Sequence, residues 1–312
     1  MDYSRDGRFL LLGGRKAHVA AIDWMTKKLL CEVNVMESVH DVKWLHNENM
    51  FAVAQKEWVY IYDSQGIELH CLKQLDRVQR LEFLPYHFLL ASGSSTGFLS
   101  WLDVSVGKII ASFPVKGREN IDVMTSNPAN AVLCTGCANG TVAMWTPNIR
   151  KPVAKMLCHI SAVRSVAVDT RGHLMATAGV DRHLKIWDIR NFKPLESYTL
   201  RLTASELAFS QRGLLAAAMG NVVEVYRGLG SSRTETESFS KTSAYMSHRT
   251  QNPITDLGFC PFEDVLGIGT GGGFSSLLIP GAGEPNFDAM EANPFRSKSQ
   301  RREAEVKALL DK

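Results

Sequence analysis

The chain has 312 residues, 45% hydrophobic and 21% charged, enough apolar material for a large core and too much for a disordered chain. Its formal charge is +3, and the stretch from Arg296 onward, with six Lys/Arg against three Asp/Glu, accounts for all of it, so the neutral body is no general polyanion binder. No apolar run reaches membrane-span length, the N-terminus lacks a signal-peptide layout, and six scattered cysteines suggest reduced thiols, so a soluble intracellular chain is expected.

In chain order, short β-prone runs recur with a period near forty residues. Tyr3 stands where later units carry the second member of an apolar pair, so the first unit begins at the end of its first strand. The later pairs are Val42/Trp44, Leu81/Phe83, Val166/Val168, Leu207/Phe209 and Leu257/Phe259. Spacing of two puts both side chains on one sheet face, as an inner strand packed between neighbouring sheets requires. The third strands end at Asp23, Asp63, Asp103, Thr146, Asp188, Arg227 and Ile279, at intervals of 40, 40, 43, 42, 39 and 52 residues. Seven four-stranded units of this period predict an all-β, seven-bladed β-propeller over residues 1–282.

The most legible unit is the fifth, "VRSVAVDTRGHLMATAGVDRHLKIWDIRNFKPLESYTL", whose third strand ends in Trp187-Asp188. Here the sequence resembles the WD-repeat family, over residues 1 to about 280. The resemblance implies a hydrogen-bonded structural tetrad of His159, Thr177, Asp181 and Trp187. A His, a hydroxyl and an Asp also suit a hydrolase, but Trp187 completes the structural pattern, and buried polar groups need partners. Other units have Lys56-Glu57, Ser95-Thr96, Asn139-Gly140 or Gly220-Asn221 in place of the turn Asp, so the propeller is degenerate. In WD-repeat propellers an N-terminal strand often completes the last blade. The seventh unit has no apolar fourth strand, so both missing strands are expected upstream of Met1, unless something else closes the ring.

Three motifs suggest chemistry. Cys134 and Cys137 form a lone Cys-x-x-Cys with no second pair to complete a zinc ribbon, Cys158-His159 being a poor substitute. Trp187-Asp188-Ile189-Arg190 matches the Trp-Asp-x-Arg box by which some WD-repeat receptors of cullin–RING ubiquitin ligases dock, and Arg190 is the adaptor contact in that alternative. Gly267, Gly269 and Gly272 have dinucleotide-binding spacing, with Asp288 and Glu291 downstream, but "FSSLLIP" after them is β-prone where a phosphate site needs a helix. No cofactor, metal or catalytic site is expected. The insertion 228–242 in the sixth unit is rich in Ser, Thr and Gly and predicts a surface loop, with "SAYMSH" returning as the fourth strand.

Residues 283–312 predict a docking tail: an extended stretch exposing Phe287, Met290 and Phe295, then a helix over about 298–311. Ser297 and Gln300 make a capping-box pair, and Val306, Leu309 and Leu310 form a short apolar stripe. Arg296, Lys298, Arg301 and Arg302 cluster at the helix start. Two readings stay open: a solvated charged helix, or a docking helix whose cations meet RNA phosphates or an acidic protein.

"CPFEDVLGIG", "IPGAGEPNFD" and "NPFRSKSQRR", with "MDYSRDGRFLLLGGRKAHVAAIDW", resemble a particular nucleolar WD-repeat family over essentially the whole chain. Its namesake is counted seventh among the proteins associated with the U-three small nucleolar RNA. The resemblance implies a non-catalytic scaffold of the small-subunit processome, in the nucleus and nucleolus. Its partners would be other processome proteins and precursor ribosomal RNA or small nucleolar RNA, with no membrane and no small-molecule substrate.

Overall fold

The computed structural model describes residues 1–115, 120–228, 244–285 and 298–310. Alternating apolar residues fold into short antiparallel strands, and seven sheets follow one another along the chain to make the expected seven-bladed propeller. Blade one holds β1 (Asp2–Tyr3), β2 (Phe9–Gly14), β3 (His18–Asp23) and β4 (Lys28–Asn34). Blade two holds β5 (Val39–Trp44), β6 (Met50–Gln55), β7 (Val59–Asp63) and β8 (Glu68–Leu72). Blade three holds β9 (Val78–Leu84), β10 (Leu89–Ser94), β11 (Phe98–Asp103) and β12 (Lys108–Pro114). Blade four holds β13 (Val123–Ser126), β14 (Leu133–Gly136), β15 (Thr141–Trp145) and β16 (Ala154–Leu157). Blade five holds β17 (Val163–Val168), β18 (Leu174–Gly179), β19 (His183–Asp188) and β20 (Lys193–Thr199). Blade six holds β21 (Glu206–Phe209), β22 (Leu215–Met219), β23 (Val222–Tyr226) and β24 (Met246–Arg249). Blade seven holds β25 (Ile254–Phe259), β26 (Val265–Thr270) and β27 (Gly273–Leu278), and among the described residues β27 has no outer neighbour.

The core lies between blades. Leu184 and Ile186 of blade five, for example, pack with Leu215 and Ala217 of blade six, all fully buried. Burying a side chain of that size stabilises the ring by about 1.5–3 kcal/mol. Where blade seven meets blade one the filling is aromatic. Tyr3 and Trp24 stand edge-on with ring centroids 6.3 Å apart, and Trp24 meets Phe274 at 5.6 Å. Gly7 has φ +75°, and a Cβ there would lie 2.3 Å from the Pro261 carbonyl oxygen, so this seam needs glycine.

Hydrogen bonds to the ring continue past the expected boundary at 282. Gly283 N–H donates to Asp264 Oδ1 at 2.8 Å, and Glu284 N–H to Gln211 Oε1 at 3.2 Å. Beyond them the chain forms α1 (Lys298–Leu310).

Candidate functional site

The polar residues singled out in blade five converge. Thr177 Oγ1, on β18, meets His159 Nε2 at 2.9 Å and accepts from Trp187 Nε1 at 3.0 Å. His159 Nδ1 lies 3.2 Å from Asp181 Oδ2 in the β18–β19 turn. The hydroxyl is fully buried, and the imidazole sits between it and the carboxylate. Burial pulls the His159 pKa below its ordinary value, and Asp181 opposes that without reversing it. Thr177 holds two ring nitrogens inside the blade, where no substrate atom reaches its oxygen. The arrangement braces the blade. Blade four keeps half of it, with Trp145 Nε1 donating to Thr135 Oγ1 at 2.9 Å.

Arg190 projects from the turn after β19. Asp188 Oδ1 accepts its backbone N–H at 2.9 Å, and its guanidinium lies 3.7 Å from the same carboxylate while remaining largely exposed. These backbone bonds hold the Asp188 pKa below its usual value.

Gly267 and Gly269 lie within β26 and Gly272 in the turn to β27, so the pattern leads from strand to strand. Packing accounts for Gly267, where a Cβ would come within 2.7 Å of the Tyr3 hydroxyl and 2.9 Å of the Phe274 ring. Asp288 and Glu291 lie outside the described residues. Cys134 and Cys137 are buried and form no disulfide, and burial pushes the Cys134 thiol up to about 12. Among the described residues no group of three or more His, Cys, Asp or Glu is placed to hold a metal.

In the tail, Lys298, Arg301 and Arg302 are exposed on α1, three and four residues apart and so along one face. Val306 is exposed on the same helix. Phe287, Met290, Phe295, Arg296 and Ser297 lie outside the described residues, as does the insertion from 229 onward.

The sequence reading missed a polar network lining the channel. Asp2 Oδ2 accepts the Trp44 N–H of the next blade at 2.8 Å, and Asp41 Oδ2 accepts the Leu81 N–H at 2.8 Å. Ser165 Oγ accepts the Leu207 N–H at 3.0 Å and donates to Glu206 Oε2 at 3.1 Å. Lys43 Nζ bridges Asp2 at 3.2 Å and Glu82 at 3.7 Å. Arg80 of blade three crosses the channel to pair with Glu206 of blade six, and this partner keeps it firmly protonated. Burial raises the Asp2 and Glu82 pKa values, while for Lys43 burial is outweighed by the surrounding carboxylates. One signal was available: polar Asp41, Arg80, Ser165, Glu206 and Asp256 each precede an apolar pair.

This is a WD-repeat propeller, with a polar brace in one blade and its exposed cationic helix outside the ring. Residues 150–188 match the WD domain, G-beta repeat, and residues 244–312 match the BING4CT (NUC141) domain. The chain is similar over its full length to WD repeat-containing protein 46 of Homo sapiens, at 56% identity, and of Caenorhabditis elegans, at 51%. It is 43% identical over its full length to U3 small nucleolar RNA-associated protein 7 of Saccharomyces cerevisiae. The chain spans 50%, 52% and 58% of these curated relatives, respectively. The likeness to them takes in both the WD repeat and the BING4CT (NUC141) domain.

Proposed function

We propose that this chain is a non-catalytic scaffold of the small-subunit processome, supporting precursor ribosomal RNA processing and small-subunit assembly in the nucleolus. The observation that carries this reading is the likeness, over the full length of this chain and 58% of the relative, to a protein named for its association with U3 small nucleolar RNA. Two features of the chain support it. The seven blades bury their strands against one another and leave broad loop faces on a rigid frame. The α1 helix, of 13 residues, is marginal alone and gains stability from a surface that meets its cationic face. The partners are other processome proteins, with precursor ribosomal or small nucleolar RNA contacted directly or through the particle.

The test is a chain ending at Pro285, which keeps the ring-bound segment. It is expected to melt with the full chain yet co-sediment poorly with large pre-ribosomal particles. Undiminished co-sedimentation would count against the reading. Arg301→Glu with Arg302→Glu is expected to weaken association by about tenfold or more near physiological salt. A change under twofold would remove these residues from the interface.

A further inference from the structure

The face of the ring that carries the β17–β18 and β21–β22 turns holds a cavity of about 430 Å³. Three guanidinium side chains line it: Arg171 from blade five, and Arg212 and Arg227 from blade six. Leu174 and Leu214 supply apolar wall, and among the described residues Asp169 is the single acid in the lining. Arg227 lies over the Tyr245 ring, its guanidinium carbon 5.7 Å from the centroid, which favours its position at the rim. Two carboxylates nearby stay charged and are oriented by amide donors, Asp264 also feeling the charge of Arg212. Asp264 accepts from the Gly283 amide at 2.8 Å, and Asp188 accepts from the Arg190 amide and, at 2.8 Å, from Asn191 Nδ2. Among the described residues the lining itself carries two more cations than anions, three arginines against Asp169.

The positive charge is local. Glu263, Asp264 and Glu284 line the adjoining depression beyond Arg212, so among the described residues no basic stripe continues on that side for a nucleic-acid backbone to follow. The Tyr245 ring at the rim carries Arg227 over it, and its hydroxyl donates to the Pro280 carbonyl at 3.3 Å. A bounded cationic pocket with aliphatic wall suits a carboxylate next to an aliphatic side chain.

We propose that this cavity is a docking site for an acidic peptide segment of a partner protein, one that seats a Glu or Asp among Arg171, Arg212 and Arg227 and a neighbouring aliphatic residue on Leu174 and Leu214. The site lies on the ring and operates independently of the α1 helix.

The test is fluorescence anisotropy on the 312-residue chain with a labelled short peptide of alternating glutamate and leucine, and oligouridine as competitor. Arg171→Glu with Arg212→Glu is expected to weaken peptide binding by about tenfold or more. Arg150→Glu, in the exposed β15–β16 loop of blade four, is expected to change it by less than about twofold. If charge reversal lowers the melting temperature, Arg171→Gln with Arg212→Gln gives the same readout with less perturbation. No peptide binding by the unmodified chain, or equal binding by the arginine variants, overturns the proposal. So does oligouridine that binds more tightly than the peptide and loses affinity through the same substitutions, since that makes the cavity a nucleic-acid site.

Discussion

Blade five and blade seven fill equivalent positions by opposite means. In blade five, Thr177 pairs across from Val166, and Trp187 across from Met175. In blade seven the same registers hold Ile268, across from Leu257, and Leu277, across from Leu266. One blade buries a hydrogen-bonded hydroxyl and indole, the other buries hydrocarbon. Satisfied polar groups and apolar groups of similar shape are nearly equivalent in stability, and half of a polar pair is worse than either. The two blades fold alike because neither is a mixture.

Making each blade a mixture tests this directly. Thr177→Val puts an apolar residue into the polar blade and strands His159 Nε2 and Trp187 Nε1. A loss of about 2–4 kcal/mol is expected from denaturant unfolding, and under 1 kcal/mol would mean the network contributes little. The reciprocal change, Ile268→Thr, puts a hydroxyl where no partner waits, with an expected cost of about 1–3 kcal/mol. If it stabilises the ring, the comparison fails.

The polar solution also carries a pH dependence that the apolar one lacks. His159 has a folded pKa below its ordinary value of 6.5, because burial disfavours the cation more than Asp181 favours it. Unfolded chains therefore take up a proton that the ring resists, and stability declines as pH falls below 6.5 toward the folded pKa. The melting temperature should drop less between pH 7 and 5 in His159→Gln than in the unmodified chain, and identical drops would remove His159 as the cause. The smallest effect belongs to the seam, where the Tyr3 hydroxyl is buried without a hydrogen-bond partner. Tyr3→Phe should be neutral or stabilising by up to about 1 kcal/mol, and a clear destabilisation would reveal a partner for that oxygen.

The ring was legible because its signals are local and repeated. The apolar pairs at spacing two and the regular ends of the third strands place every blade, and Trp187-Asp188 fixes the register. The dinucleotide spacing at Gly267 could be set aside for the same reason, since the run after it keeps the strand period. The channel network was not legible. Arg80 finds its partner 126 residues away, and nothing in a forty-residue repeat says which blades face each other across a channel. The arginine cavity has the same character, assembled from turns whose residues look like ordinary solvated loop positions. In the tail, the pattern of Lys298, Arg301 and Arg302 was readable, but what that helix meets depends on surfaces outside the chain.

The pairing of Arg80 with Glu206 also joins blades three and six directly. With the Lys43 bridges beside it, it links the innermost strands of blades one, two, three and six by charge. Non-neighbouring blades are thus coupled to one another as well as to the blades they pack against, so a change in one inner strand reaches across the ring.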